Sequence, residues 1–342
     1  MANDIGELER LVNGQAIKRE KEIPPDKAKV GFCHSMLGIS LALLAGIFST
    51  CENTLFAVLA RFFGVKPYQM LLIMFAGSLV AMTPAVLCLH GLKAIAAETW
   101  KQRAILVNIG VWYTVADFCE VFALTMIPIG NMTAICRGII PIITPAFARI
   151  FLKKPFTKVH LIGTVLCLAG ILLTAQPDII FRNGNIGTPN AWIGYLLSGI
   201  GGVAFSITYV SCSALGDDVN TLVINFYENV AGSIISLVLA LSLGSLSWNL
   251  EFETIWLLSG LVVSYLLTFL CRFRSLQLES PSTCVLLANI QIVVAYLAEY
   301  IVFRHTPNLY DIIGAIAIIF CSVIIVIATA YSNMKGEQPD GG

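Results

Sequence analysis

The sequence predicts an all-α integral membrane protein: ten transmembrane helices arranged as two inverted five-helix repeats. Three observations carry that expectation. Hydrophobic residues make up 57% of the 342-residue chain and charged residues only 12%, against roughly 45–50% and 25% in ordinary soluble domains. Ten apolar stretches of about 20 residues can be counted, each long enough to cross a hydrocarbon core of roughly 30 Å. A weak repeat recurs at an offset of 151 residues: FLKKPFTKVHLIG at 151–163 lies over VFRHTPNLYDIIG at 302–314, so that Lys153 meets Arg304 and Gly163 meets Gly314. Five spans per half is an odd number, so the second half must enter the membrane upside down. Inverted repeats of this kind mark transporters, whose site lies near the midplane where the halves meet.

In chain order, residues 1–31 form a polar cytoplasmic tail carrying Arg10, Lys18, Arg19, Lys21, Lys27 and Lys29. It is too long and too charged for the n-region of a cleaved signal, so the first span is expected to stay as an anchor. The first repeat, 32–175, holds spans at 35–59, 67–90, 104–127, 130–152 and 157–175. A turn-rich loop at 176–190, with Gly, Pro and Asn, joins it to the second repeat. That repeat, 191–330, holds spans at 191–213, 221–244, 254–275, 283–303 and 309–330, and 331–342 is a second cytoplasmic tail. With the N-terminus in the cytoplasm, sixteen of the 21 Lys and Arg fall on that side, counting Arg149, Arg272 and Arg274 at helix ends. Arg61, Lys66, Arg182 and Arg304 fall on the other face, and Arg137 lies within the membrane. This asymmetry predicts that both termini are cytoplasmic, in the plasma membrane or an endomembrane such as ER or Golgi.

Zero formal net charge and the absence of a long basic run leave no footprint for nucleic acid. The ten cysteines show no Cys-x-x-Cys spacing and read as small buried hydrophobes rather than metal ligands or disulfides. His34, His90, His160 and His305 fall near span ends, so no metal set, catalytic residue or cofactor is expected. The expected partners are a small organic solute and the lipid bilayer, with a homodimer left open. Asn131-Met132-Thr133 matches a glycosylation acceptor but sits in a tight turn at the membrane surface and is discounted.

The charges inside the spans are the candidate site. Asp117 and Glu120 precede the Pro128-Ile129-Gly130 turn and Arg137 follows it. Glu120 lies eight residues before Pro128 and Arg137 seven after Gly130, so both fall roughly 11 Å below the turn at about 1.5 Å per residue. Tyr113, Asp117 and Glu120 share a helical face, as do Thr133, Arg137, Pro141 and Thr144. Span 104–127 holds eleven Leu, Ile, Val or Phe residues, worth roughly 5 kcal/mol of insertion against roughly 5–7 for two acids. An arginine at the same depth, or a protonated carboxyl, restores the balance. The pair is either a packing device or part of a pathway.

Other polar stripes converge on the same depth. The seventh span carries Thr221, Asn225, Glu228, Asn229, Gly232 and Ser236; interhelical hydrogen bonding would explain the asparagines, whereas Glu228 is expected to be functional. Ala42, Gly46, Ser49, Glu52 and Asn53 share a face of the first span, and Glu52 there needs a partner or a proton. Cys284, Ala288, Gln291, Ala295 and Glu299 do so on the ninth, Tyr265, Thr268 and Arg272 on the eighth, and Ser206 and Tyr209 mark the sixth. The candidate substrate or coupling-ion residues are Glu52, Tyr113, Asp117, Glu120, Arg137, Asn225, Glu228, Asn229, Tyr265 and Gln291. Aromatics and amides around a midplane cavity suit a polar organic solute, an organic anion among the options. A secondary transporter would move it, with or without proton coupling, and in it Arg137 either meets an anionic group or exchanges partners with Asp117 and Glu120. A non-transporting scaffold or regulatory protein that keeps the fold is the alternative.

Two stretches carry a resemblance to a known family. ALTMIPIGNMTAICRGIIPIITPAFARIFLKKPFTKVHLIGTVLCLAGILL, 123–173, resembles the signature of EamA-type members of the drug/metabolite transporter superfamily, with Pro141 in the fourth helix and Lys153-Lys154-Pro155 in place of the usual acidic loop. SLQLESPSTCVLLANIQIVVAYLAEYIVFRHTPNLYDIIGAIAII, 275–319, resembles the second copy. Within the superfamily the chain looks most like the G-type branch of solute carrier family 35. The resemblance implies two inverted halves, a central cavity bordered by helices 1–4 and 6–9 with 5 and 10 peripheral, and alternating-access transport of a small organic metabolite. The chain has Met74 where family members often carry an arginine.

Overall fold

The computed structural model describes residues 27–95, 99–152, 158–175, 191–215, 219–242, 251–278, 287 and 289–336. The first 26 residues, the 176–190 loop, Lys153, Lys154, Cys284, Ala288 and the last six residues lie outside the described residues. Among those described, every regular element is a helix: α1 (Lys27–Arg61), α2 (Pro67–Ile95), α3 (Trp100–Leu124), α4 (Ile129–Leu152), α5 (Lys158–Ala175), α6 (Ala191–Leu215), α7 (Thr221–Ser242), α8 (Phe252–Leu278), α9 (Ile290–Phe303) and α10 (Leu309–Gly336). Six of them, α1, α2, α3, α6, α7 and α8, are long and apolar enough over their described length to cross a membrane. The apolar parts described for α4, α9 and α10 are shorter.

Local chemistry sets where helices begin. Thr99 opens α3 with a capping box, its hydroxyl accepting from the Gln102 N–H at 3.2 Å while the Gln102 side chain accepts from the Thr99 N–H. Asn308 and Asp311 repeat the device before α10, with two reciprocal bonds of 3.0 Å. Asn220 accepts from the Leu222 N–H at 2.9 Å and starts α7. The turn after α3 is completed at Pro128, whose carbonyl accepts from Met132 N–H, so helix α4 already includes Ile129 and Gly130. Asn131 is therefore in the first turn of α4 rather than in a loop. It is buried, and its amide oxygen accepts from Tyr296 Oη at 3.1 Å, which closes it to a glycosylating enzyme.

Packing runs mainly between the two halves. Adding 151 carries several bounds of the first five helices onto the second five: α4 ends at Leu152 and α9 at Phe303, α5 starts at Lys158 and α10 at Leu309. The helix contacts obey the same exchange. α1 packs on α8 as α6 packs on α3; α4 on α6 as α9 on α1; α3 on α7 as α8 on α2. Helices α2 and α7, α4 and α9, and α5 and α10 pair across the pseudo-axis. The two five-helix sets are thus inverted and interleaved, and no inner helix can move without changing contacts with the other half.

Helices α5 and α10 pack on each other and on α4, away from the centre. Their crossing is close because of glycine: a Cβ on Gly314 would meet the Gly170 carbonyl oxygen at 2.7 Å, the small-residue contact that brings membrane helices together. Large apolar side chains such as Val80, Trp192, Leu241 and Trp256 cover the outside, while Phe56, Phe75, Phe205, Phe269 and Phe273 fill the interior. The polar side chains that remain are consequently held inside, between aromatic rings.

Candidate functional site

The centre of the bundle collects charge from five helices. Glu52 on α1, Asp117 and Glu120 on α3, Arg137 on α4, Glu228 on α7 and Arg272 on α8 are all at most 7% exposed. One Arg137 terminal nitrogen donates to Glu120 Oε1 at 3.1 Å, across the hairpin that places them at one depth. The Arg137 guanidinium lies 4.7 Å from the centre of the Phe205 ring, and that of Arg272 reaches the same ring at 5.9 Å. The two cations thus share one aromatic from α6, a contact favoured where water is excluded.

Arg272 organises the other side. Its two terminal nitrogens donate to Tyr113 Oη at 2.9 Å and Ser49 Oγ at 3.1 Å. Ser49 also accepts from the Gln291 amide at 2.8 Å, so α1, α3, α8 and α9 meet through one guanidinium and one hydroxyl. Tyr265 donates to Glu228 Oε1, while Glu228 Oε2 and Asp117 Oδ2 are buried without a hydrogen-bond partner among the described residues. Glu52 faces Arg272, Arg137 and Glu120, with Thr268 beside it. Asp117 faces Glu52, Glu228, Glu120 and Arg272. The set therefore holds four acids against two arginines, with phenols and amides between them.

Of the ten candidate residues, the structure brings eight into this set: Glu52, Tyr113, Asp117, Glu120, Arg137, Glu228, Tyr265 and Gln291. Asn225 and Asn229 are buried on α7, but their hydrogen bonds stay within that helix, Asn229 donating to the Asn225 carbonyl and side-chain oxygens at 2.9 and 2.7 Å. Bonds from these asparagines to a neighbouring helix, one of the two readings of them, are not made among the described residues. Arg272 departs from the sequence reading more sharply. Assigned to the surface as a helix-end charge, it is buried, because α8 continues six residues past it to Leu278. Its alignment with Tyr265 and Thr268 was the signal that it belongs inside. Removing it from the basic residues of the expected cytoplasmic side leaves fifteen in that count against four.

The second polar feature lies at the end of the bundle where α1 and α9 finish. A cavity of about 500 Å³ is lined there by Arg61, Thr125, Tyr195, Glu299, Phe303 and His305, among others.

An interleaved inverted repeat with buried charge from both halves at its centre defines a polytopic membrane protein of transporter architecture. Residues 36–176 and 192–327 each match the EamA-like transporter family. The chain belongs to that family, within the drug/metabolite transporter superfamily, whose members are transporters rather than enzymes. It is 24% identical over 245 residues to human solute carrier family 35 member G1, covering 68% of this chain and 65% of that protein. A probable transport protein of Saccharomyces cerevisiae is 22% identical over 213 residues, 58% of this chain and 59% of that one. An uncharacterized membrane protein of the same yeast is 23% identical over 206 residues, covering 56% and 50%. The matches thus span less than two thirds of these relatives' lengths. A solved crystal structure shares the fold with a TM-score of 0.60 at 16% identity, over 90% of this chain and 99% of its own.

Proposed function

We propose that this chain is a secondary transporter of the G-type branch of solute carrier family 35, carrying a small polar organic solute through the centre of the bundle by alternating access. The observation that supports it best is the provenance of the buried charges. Glu52, Asp117, Glu120 and Arg137 come from the first half, Glu228 and Arg272 from the second. Rocking of one half against the other would change those contacts together, which couples occupancy to a two-state movement. Arg272, bonded in this structure to two hydroxyls that an anion could displace, is the proposed receiver of an anionic group of the solute. The surplus of acids over arginines supports coupling to protons. The human and yeast relatives named as a solute carrier and a probable transport protein support the class. Uptake of candidate organic acids by purified protein in sealed vesicles, with and without a pH gradient, tests the reading; no uptake of any polar solute under either condition would refute it.

Glu228 is the proposed proton-exchanging group, since one of its oxygens is held by a phenol and the other has no hydrogen-bond partner among the described residues. Glu228→Gln is expected to give a folded, abundant protein whose uptake no longer follows pH. A variant with the wild-type pH profile would demote Glu228 to packing.

The proposed domain organisation is two repeats, 32–175 and 191–330, about the 176–190 loop, with both termini cytoplasmic. Tags at either terminus should be reached only from the cytoplasm and a tag in 176–190 only from the opposite side. Termini on opposite faces would overturn this topology.

A further inference from the structure

We infer that Arg61 and Glu299 form the gate that closes one entrance to the central site, an inference that rests on the transporter reading above. Arg61 is the last residue of α1 and belongs to the first half; Glu299 lies on α9, in the second. One Arg61 nitrogen donates to Glu299 Oε1 at 3.3 Å, and the other donates to the carbonyls of Leu124 and Ile127 at 3.2 and 2.9 Å. Glu299 Oε2 accepts from the N–H of Ile129 at 2.7 Å. That donor opens α4 and has no carbonyl of its own helix to meet. One ion pair therefore ties together α1, α9 and the α3–α4 turn. Phe303 reinforces it, lying 4.7 Å below the Arg61 guanidinium and stacking on Phe62 at 5.7 Å.

Its position is that of a gate. Both residues line the cavity at this end of the bundle. The Arg61 side chain is 30% exposed and that of Glu299 3%, so the pair is open on its Arg61 side. Along the same two helices, Glu52 and Gln291 of the central set lie roughly 12–14 Å deeper. Moving α1 away from α9 breaks the pair, and moving the α3–α4 turn away from α9 breaks the Ile129 bond that holds Glu299 in it.

The pair has no counterpart in the other half of the repeat. Under the 151-residue offset Arg61 corresponds to Cys212 and Glu299 to Ala148, neither of which is charged. The ion pair thus acts at one end of the bundle, and its strength biases whether that end is shut.

Two variants test the gate. Glu299→Gln removes the charge but keeps an oxygen for Ile129, and Arg61→Gln removes the cation while leaving Glu299 in place. Both are made in a background where Cys136, fully buried beside Arg137, is the one remaining cysteine, and the purified proteins are placed in nanodiscs. The reporter is the labelling rate of Cys136 by a permanently charged methanethiosulfonate, which needs no substrate. Each variant is expected to raise that rate roughly three- to tenfold over the same background with the gate intact. Labelling that is unchanged or slower in a folded variant overturns the gate, even if solute uptake is normal. Should Glu299→Gln not fold, Arg61→Gln decides alone, because its side chain is the more exposed of the two. Faster labelling without uptake by the parent protein would instead count against transport and leave the gate standing.

Discussion

The double variant Arg137→Leu with Glu120→Leu is expected to fold to normal abundance and to carry no solute. The reason lies in the difference between a buried pair and its halves. The 3.1 Å contact between Arg137 and Glu120 is almost wholly removed from water. Breaking such a pair from one side typically costs about 3–5 kcal/mol, because a charge is left in low dielectric, whereas replacing both partners by apolar residues of similar size is often neutral. Arg137→Ala alone should therefore lower abundance sharply, because the other buried cation, Arg272, is bonded to Tyr113 and Ser49. The double variant removes that penalty and isolates function. Wild-type uptake by a well-expressed double variant would leave the pair as architecture and move the site toward Arg272 and Glu228.

Arg272→Gln should produce the second large effect, on both abundance and uptake. The change removes donors to Tyr113 and Ser49 and takes away one of two cations facing four buried acids. A loss of about 3–5 kcal/mol is the scale expected for stranding a buried acid. Adding Glu52→Gln should recover much of the abundance, since Arg272 heads the charged neighbours of Glu52, while uptake stays at background. Arg272→Lys separates charge from geometry, because an ammonium cannot span Tyr113 and Ser49 as a planar fork does. Normal expression and uptake of Arg272→Gln would mean that the guanidinium is dispensable, and with it the anion reading.

Much of this protein is determined by its sequence alone, because the membrane makes hydrophobic length and charge placement decisive. A span must satisfy its own backbone hydrogen bonds, so apolar runs of sufficient length become helices and their ends follow from polar residues and turns. The expected span at 191–213 and the helix Ala191–Leu215 illustrate the result. The acids of α3 and the arginine of α4 were legible for the same reason: in hydrocarbon each demands a partner, and equal distance from one turn names it.

Only the tertiary structure decided which helix meets which. The interleaving of α1 with α8 and α3 with α6 arises from packing between surfaces that are all apolar in sequence. It turns Arg272 inward beside Tyr113, 159 residues away, and brings Arg61 to Glu299 across 238. Asn225 and Asn229 make the converse point: their type and spacing suggested contacts with another helix, yet one turn of α7 lets them bond each other. Periodicity reports which residues share a face, but what that face meets depends on contacts far apart in the chain.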